Sequence, residues 1–399
     1  PIPQRWSIAH LYQAILNKEE HVARIAKLTT LAGYVHMKLT GRHVIGIDDA
    51  SGMFPVNPDT KNYDAAMLAA FDQHVAEHNF PWKLKDLLPE IVPAGDVAGT
   101  VTEEGASYLD SSGTFKAGMP LCPPEGDAGT GMIATNSIKP RTGNVSAGTS
   151  VFAMLVLENK LSKVHPEIDQ VLTPDGSLVG MAHSNNCTSD FDAWVGLFVE
   201  AARAMGADVS SDDGFSTLMP LALKGDADAG GLLSYGYVSG EHLTGFSEGR
   251  PLFVRRPDSQ FTIENFVRSH LFSSLCALRT GMDILTTEEG VEVEELRGHG
   301  GFFKTEGVGQ RIMAAATKAA VRVLDTAGEG GAWGMALLAA YTARSDKNRS
   351  LADFLESAFA GSMGKAVEPD PDDVKGFETY FTRYTEGLPI ESAAVEHLP

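Results

Sequence analysis

Residues 143–157 read Gly-Asn-Val-Ser-Ala-Gly-Thr-Ser-Val-Phe-Ala-Met-Leu-Val-Leu, and this stretch indicates the fold class. The apolar run over 151–157 has the length and composition of a buried strand, and the residues before Gly148 read as a second one. The pattern therefore predicts two strands joined by a Gly148-Thr149-Ser150 turn. Such a turn can aim unpaired backbone N–H groups at an anion without help from a lysine.

Helical patterns lie on both sides of this hairpin. Before it, the apolar spacing predicts a helix over 7–31 with Ser7 as its N-cap, a short strand over 43–47 and a helix over 63–78. After it, helices are predicted over the ranges 190–205, 263–285, 308–324 and 332–343, and around Tyr380 and Tyr384. Strands and helices mix along the chain, which predicts an α/β protein.

Composition excludes several classes of function. The chain has 399 residues, 43% of them hydrophobic, and a formal net charge of −20. That length allows two or three globular domains. The negative charge repels phosphate backbones and anionic lipids, so neither nucleic acid nor a membrane surface is an expected partner. No run of 18 apolar residues is present, which argues against a membrane span.

The three cysteines, Cys122, Cys187 and Cys276, are widely separated. They form neither a disulfide framework nor a zinc-binding spacing, which suits a reducing cytosol and predicts a cytoplasmic protein. His183, His270 and His299 have no second ligand at metal spacing, so they are interpreted as surface or core histidines. No metal-ligating residue is predicted.

Two further glycine-containing turns accompany the hairpin turn. They are Gly126-Asp127-Ala128-Gly129-Thr130-Gly131 and Gly298-His299-Gly300-Gly301. Taken singly, each of the three turns is more often plain structure than a binding site. The glycines at 298–301 do not complete the dinucleotide-binding pattern, and Gly364-Lys365 lacks the rest of a P-loop.

One rival pattern is complete. Gly245-Phe246-Ser247-Glu248-Gly249 matches the nucleophile elbow of α/β-hydrolases, with Ser247 as the nucleophile. The residues before it do not read as a buried strand, and Arg250-Pro251 blocks an immediate helix. A serine hydrolase is therefore kept only as an alternative.

The order of the motifs resembles the FGGY family of carbohydrate kinases over nearly the whole chain. The matching pieces are a Gly-Asp turn at 126–127, Gly-Thr-Ser at 148–150, Gly-Gly-Phe-Phe-Lys at 300–304 and Glu-Gly-Gly-Ala-Trp-Gly-Met-Ala-Leu-Leu-Ala-Ala at 329–340. Asp49-Ala50-Ser51-Gly52 and Gly240-Glu241 also match, and 7–20 resembles a degenerate first signature with His10 in place of a lysine. His242 stands where an arginine is usual.

This resemblance implies a particular architecture. It predicts two ribonuclease-H-like domains of the actin/hexokinase ATPase type with a cleft between them. Residues 1–140 would lie on the sugar side and residues 141–399 on the nucleotide side. Family members open with an Asp-x-Gly-Thr-Ser/Thr hairpin, and none precedes Pro1, so an incomplete first domain is expected.

The resemblance also implies roles for single residues. Asp127 falls on the family's general base, which removes a proton from the attacking sugar hydroxyl; an alternative makes it a phosphate-loop aspartate. Thr149, with Gly148 and Ser150 beside it, falls on a phosphate-binding threonine of the family. Gly300 and Gly301 fall on the family's adenosine-side turn, where the absence of a Cβ lets the nucleotide approach the backbone. Asn186 and Lys304 are also implied in nucleotide binding. Phe302 and Phe303 are interpreted as packing beneath the nucleotide turn.

The implied reaction is phosphorylation of a small-molecule sugar by ATP with Mg²⁺. A ketopentose such as xylulose or ribulose is the expected substrate, and a homodimer is the expected assembly. The alternative within the same fold is a protein that binds nucleotide or sugar without catalysis, because the N-terminal phosphate loop is not found in the sequence.

Overall fold

The computed structural model describes residues 2–324, 330–362 and 364–398. The elements before residue 140 are short. The helices are Ser7–Leu16 (α1), Leu31–Thr40 (α2), Ile47–Ser51 (α3), Ala65–His74 (α4), Leu84–Leu87 (α5), Glu103–Leu109 (α6) and Asp127–Ala134 (α7). The strands pair in twos: Val44–Ile45 (β1) with Glu90–Ile91 (β4), Val56–Asn57 (β2) with Asn62–Tyr63 (β3), and Gly99–Thr100 (β5) with Pro120–Leu121 (β6).

The rest of the chain carries longer elements. The strands are Thr142–Ala147 (β7), Val151–Val156 (β8), Ile168–Leu172 (β9), Leu178–Ser184 (β10), Leu233–Tyr235 (β11), Leu252–Val254 (β12), Glu295–His299 (β13), Ala320–Arg322 (β14) and Ala366–Val367 (β15). The helices are Ser189–Ala204 (α8), Ser211–Leu218 (α9), Ile263–Asp283 (α10), Val308–Thr317 (α11), Gly330–Ala343 (α12), Leu351–Ala358 (α13) and Pro371–His397 (α14). The α/β class predicted from the sequence is confirmed.

The predicted hairpin lies at the centre of a sheet with the strand order β15-β14-β13-β7-β8-β10-β9. β7 and β8 pair antiparallel with Ala147 opposite Val151, so residues 148–150 form the connecting turn as predicted. On its other side β7 runs parallel to β13. The carboxyl ends of β7 and β13 therefore meet at the same edge of the sheet.

Both faces of this sheet are buried. Along β8, Val151, Ala153 and Leu155 point into a core that includes α10, α11 and α14. Met154 and Val156 point to the opposite face, into a second core that includes α1 and α13. Successive strand residues alternate between faces, so a continuous apolar run is what a strand covered on both sides requires.

Helices α7 and α12 cross at backbone contact. A Cβ built on Gly334 of α12 would lie 2.0 Å from the carbonyl oxygen of Thr130 in α7. No side chain fits there, so glycine is required for this approach. The crossing fixes α7, the helix that begins with Asp127, against the start of α12.

Two predicted helices are wrong in length. The helix predicted over 7–31 ends at Leu16, because Lys18 adopts a left-handed backbone with φ 55°. Its N-cap is Trp6 without a side-chain hydrogen bond, so Ser7 is not the cap. The helix predicted over 308–324 ends at Thr317, where Lys318 has φ 59°, and the remaining residues form β14.

The other predicted helices are confirmed with small shifts at their ends. The helix predicted over 63–78 is α4, and the side chain of Asp64 accepts a hydrogen bond from Met67 N at its start. Those predicted over 190–205, 263–285 and 332–343 are α8, α10 and α12, and the C-terminal helix is α14.

The division predicted at residue 140 stays a prediction. Leu337, Leu351 and Phe359 pack in the same core as α1, so residues well beyond 140 are shared with the N-terminal elements. Glu329 of the matched stretch 329–340 lies outside the described residues. Among the helices of the described ranges, none is long and apolar enough to cross a membrane.

Candidate active site

Asp127 lines a cavity at the edge of the central sheet. It is the first residue of α7, with Gly126 as N-cap, and its side chain is exposed. The cavity measures about 180 Å³. Its lining comes from α7, β7, β8, β13 and α12: Asp127, Ala128, Gly131, Ala134, Thr135, Asn144, Ser146, Phe152, His299, Gly330 and Gly331.

The two glycine turns meet at the same edge. His299 pairs with Ser146 across β13 and β7, so the residues that precede the two turns are neighbours. Gly300 has φ 102°, and a Cβ there would lie 2.3 Å from the carbonyl oxygen of Ala147. The turn after β13 therefore lies directly against the end of β7.

The Gly148–Ser150 turn is anchored through its carbonyl groups. Cys187 N donates to Thr149 O at 3.0 Å, and Thr188 N donates to Gly148 O at 3.0 Å. Gly148 N donates to Ser150 O at 2.9 Å. In the described part of the chain, the N–H groups of Thr149 and Ser150 have no hydrogen-bond acceptor. The turn thus keeps backbone donors available for an anion.

Asn186 has its side chain occupied within the protein. Its Nδ2 donates to Glu241 Oε2 at 3.1 Å, and its Oδ1 accepts from Ser239 N at 3.1 Å. Glu241 is fully buried and also accepts from Ser184 Oγ and from Asn186 N. The pair holds the 186–188 loop that anchors the Gly148–Ser150 turn. A direct nucleotide contact by Asn186 stays a prediction.

The third part of the predicted site is the segment after Gly300. Gly300, Gly301 and Lys304 are exposed, and Gly301–Phe303 forms one turn of 3-10 helix. Phe302 and Phe303 are buried in the core beneath it. The interpretation of these two rings as packing residues is confirmed.

A cluster of acidic residues that the sequence did not predict as a group contacts the start of α7. Asp48 Oδ2 accepts hydrogen bonds from Gly126 N and Gly129 N, both at 3.2 Å, and so caps the first turn of α7. Glu125 Oε2 accepts from Asp49 N at 3.2 Å. In the sequence, the only sign of this cluster is the 49–52 stretch, to which the family resemblance assigns no role. The cluster ties that stretch to the helix that begins with Asp127.

Burial dominates the protonation of this cluster. It raises the pKa of Asp48 well above its usual range, with the charge of Asp49 adding to the effect. Burial and then the charge of Asp48 raise the pKa of Glu125 in the same direction. Burial raises the pKa of Asp49 to about 6, although a hydrogen bond from Thr30 acts to lower it.

Within the described residues, no group of three or more His, Cys, Asp or Glu side chains is arranged to hold a metal ion.

The raised pKa of Asp49 predicts a pH-dependent stability. A carboxyl with pKa about 6 in the folded state and about 3.9 unfolded favours the fold below pH 4, and this contribution is lost as the pH rises to 6. Asp49→Asn removes the ionisation and keeps an oxygen that can accept from Thr30 Oγ1. We expect the variant to gain up to about 3 kcal/mol over the wild type at pH 7 and little at pH 4.

Urea unfolding of both proteins at pH 4 and pH 7 measures this difference. The exposed Asp208→Asn is the matched control and should show no pH-dependent change. A lower stability of Asp49→Asn at pH 7 would show that the Asp49 charge supports the fold.

The three histidines have different surroundings. His270 is buried in the core, in agreement with its interpretation as a surface or core histidine. Its Nδ1 lies 3.3 Å from Asp190 Oδ2. His183 is partly buried beside His242. His299 lines the cavity that holds Asp127, a position that its residue type alone did not indicate.

Two other features lie apart from this edge. Ser247 follows a 3-10 turn at His242–Thr244 and precedes β12, so the strand–turn–helix context of a nucleophile elbow is not present around it. A larger cavity of about 530 Å³ is lined by Trp6, Asp64 and His165 among others, and it contains none of the predicted site residues.

Two family patterns match consecutive parts of the chain. The pattern of the FGGY family of carbohydrate kinases, N-terminal domain, matches residues 14–128, and that of the C-terminal domain matches residues 143–343. A xylulose kinase of Haemophilus influenzae is 22% identical over 290 residues, which are 72% of this chain and 54% of that protein. The chain therefore spans about half the length of this curated relative.

Solved structures share the fold. A ligand-bound xylulose kinase from Lactobacillus acidophilus aligns over 100% of this chain and 74% of its own, with TM-score 0.76 and 18% identity. A xylulose kinase from Rhodospirillum rubrum aligns over 98% and 74%, with TM-score 0.75 and 20% identity. Plasmodium falciparum glycerol kinase with ADP aligns over 96% and 71%, with TM-score 0.71 and 16% identity.

These similarities confirm the predicted fold, which is the two-domain actin/hexokinase type of ATPase. Because the two family patterns match consecutive parts of the chain and the later one covers half of the sequence, the chain belongs to the FGGY family of carbohydrate kinases.

Proposed function

We propose that this protein transfers the γ-phosphoryl group of ATP to a hydroxyl group of a sugar, with Asp127 as the general base. The observation that carries the proposal is the cavity that Asp127 shares with Ser146 and His299. These two residues lie at the ends of β7 and β13, where the two glycine turns begin. The cavity with the Asp127 carboxylate and the starts of the two glycine turns thus lie at one edge of the sheet.

The residues at this edge offer groups that can bind a nucleoside triphosphate. The N–H groups of Thr149 and Ser150 are available donors, and Gly300 leaves the backbone bare where a side chain would collide with Ala147. Lys304 is exposed one turn further on and supplies a positive charge. When bound, Mg-ATP supplies the phosphoryl group and the metal charge that screens it.

Asp127 has the environment that a base in this reaction needs. It is the first residue of α7, and it lines the cavity at the edge of the sheet. Its exposed carboxylate can accept the proton of a sugar hydroxyl while that oxygen attacks phosphorus. Asp48 holds the first turn of α7 through Gly126 N and Gly129 N, so it positions Asp127.

The substrate class rests on the relatives. The curated relative is a xylulose kinase, and so are two of the solved structures described above. We therefore propose a ketopentose, xylulose or ribulose, as the sugar. Magnesium as the accompanying metal, a cytoplasmic location and a homodimer stay predictions from the sequence.

The experiment is a sugar-dependent ADP-release assay with the full-length protein, Mg-ATP and a panel of xylulose, ribulose, gluconate and glycerol. We expect release with a ketopentose and background rates with glycerol. ATP binding without ADP release for any sugar would favour the alternative of a binding protein without catalysis. No binding of ATP would refute the proposal.

A further inference from the structure

His299 occupies a defined place in the cavity. It is the last residue of β13 and lies opposite Ser146 of β7. Its Nε2 is 3.4 Å from Asn144 Oδ1. The next residue, Gly300, begins the turn proposed to contact the nucleotide. His299 therefore lines the same cavity as Asp127 and directly precedes the glycine turn.

The hydrogen bonds of the neighbouring residues determine which ring nitrogen of His299 carries the hydrogen. Thr135 Oγ1 donates to Gly131 O at 2.8 Å, so it accepts from Asn144 Nδ2 at 2.9 Å. Asn144 Oδ1 is then turned toward His299 as an acceptor, and Nε2 must carry the hydrogen. In the described part of the chain, Nδ1 has no hydrogen-bond partner.

Among the described residues, few charged groups lie around His299. Asp127 faces the cavity from α7, whereas β7 contributes Asn144 and Ser146 and α12 contributes glycines. Arg297 of the same strand is bound to Glu295 and to the carbonyl groups of Thr135 and Asn136. Burial lowers the pKa of His299, so the ring is neutral at pH 7 before any ligand binds.

We propose that His299 is a phosphate ligand in the nucleotide site, donating a hydrogen bond from Nδ1 in its imidazolium form. A neutral ring whose hydrogen is on Nε2 would turn a lone pair toward an anionic oxygen, which is repulsive. The negative phosphates stabilise the imidazolium form instead. This inference rests on the proposed function, because it requires a nucleotide at this edge.

The consequence is that nucleotide binding takes up a proton. Binding raises the pKa of His299 from its lowered value in the free protein. As the pH rises from the pKa of His299 in the free protein to its pKa in the complex, the affinity for the nucleotide falls about tenfold per pH unit. Outside that range the affinity does not change with pH. The γ-phosphate also titrates near neutral pH, so the histidine contribution is read from the difference between wild type and variant.

The experiment is calorimetric titration of the full-length protein with the Mg complex of a non-hydrolysable ATP analogue at pH 7. Two buffers with different ionisation enthalpies give the number of protons taken up. His299→Gln keeps an amide nitrogen for the bond to Asn144 and removes the titrating group. We expect His299→Gln to bind the analogue roughly 10 to 100 times more weakly than the wild type and to lack the proton uptake that the histidine contributes. His183→Gln is the control, because this partly buried histidine lies outside the cavity.

A second measurement needs no variant. The C2–H proton resonance of His299, followed by NMR in the wild type, should move to its imidazolium position when the analogue is added at pH 7. Binding of the analogue with equal proton uptake in wild type and His299→Gln, or a resonance that does not move, would overturn this inference alone. No binding of the analogue would overturn the proposed function together with it.

Discussion

Asp127→Asn is expected to release ADP in response to the sugar about 10² to 10⁴ times more slowly than the wild type. The amide cannot accept the hydroxyl proton, and no other carboxylate lines the cavity among the described residues. The substitution conserves shape, and the cap of α7 comes from Asp48, so the fold should be retained. Steady-state kinetics with the preferred ketose measure the effect. The loss should fall on kcat, with ATP affinity within a few-fold of the wild type.

Asp372→Asn is the matched control for this experiment. Asp372 is also an exposed aspartate in the first turn of a helix, α14, far along the chain from the site. We expect wild-type kinetics from it. A wild-type rate from Asp127→Asn would show that another group removes the proton.

The second large effect is expected from Gly300→Ala. Gly300 combines φ 102° with a carbonyl oxygen 2.3 Å from the position that a Cβ would take. An alanine there must move the turn away from the end of β7. The backbone at φ 102° and ψ 178° is a region that essentially only glycine occupies, and it alone costs an alanine about 1–3 kcal/mol. We expect at least a tenfold loss of affinity for the ATP analogue and a measurable loss of stability in urea.

Gly301→Ala separates these causes. A Cβ on Gly301 would meet no atom of the described residues within 4 Å, so the stability of Gly301→Ala should equal that of the wild type. Any loss of nucleotide affinity in Gly301→Ala would then report close approach of the ligand itself. Wild-type nucleotide affinity in Gly300→Ala would refute a role for this turn in binding.

Local patterns were sufficient for the central hairpin. An apolar run of strand length, a Gly-Thr-Ser turn and a preceding strand are all encoded within 143–157, and the structure confirms them. The long amphipathic helices α8 and α10 were equally readable from their spacing. Where the chain reverses at Lys18 and Lys318, the left-handed backbone is adopted by a residue that carries no turn signal, and the predicted helices ran too far.

The site was readable only in part, for a physical reason. Asp127 and the two turns were found by their order along the chain. Asp48 caps α7 from almost eighty residues away, and nothing in the local sequence announces that contact. The protonation of Asp48, Asp49 and Glu125 follows from burial, which is a property of the folded chain. The position of His299 in the cavity depends on the pairing of β13 with β7, which the sequence around His299 does not reveal.

A crystal structure of the full-length protein with a non-hydrolysable ATP analogue and the preferred ketose tests the convergence of these residues most directly. We predict phosphates against the Gly148–Ser150 turn and Gly300, and a sugar hydroxyl within hydrogen-bond distance of Asp127. Phosphates or sugar bound elsewhere, for example in the cavity beside Trp6 and His165, would contradict it.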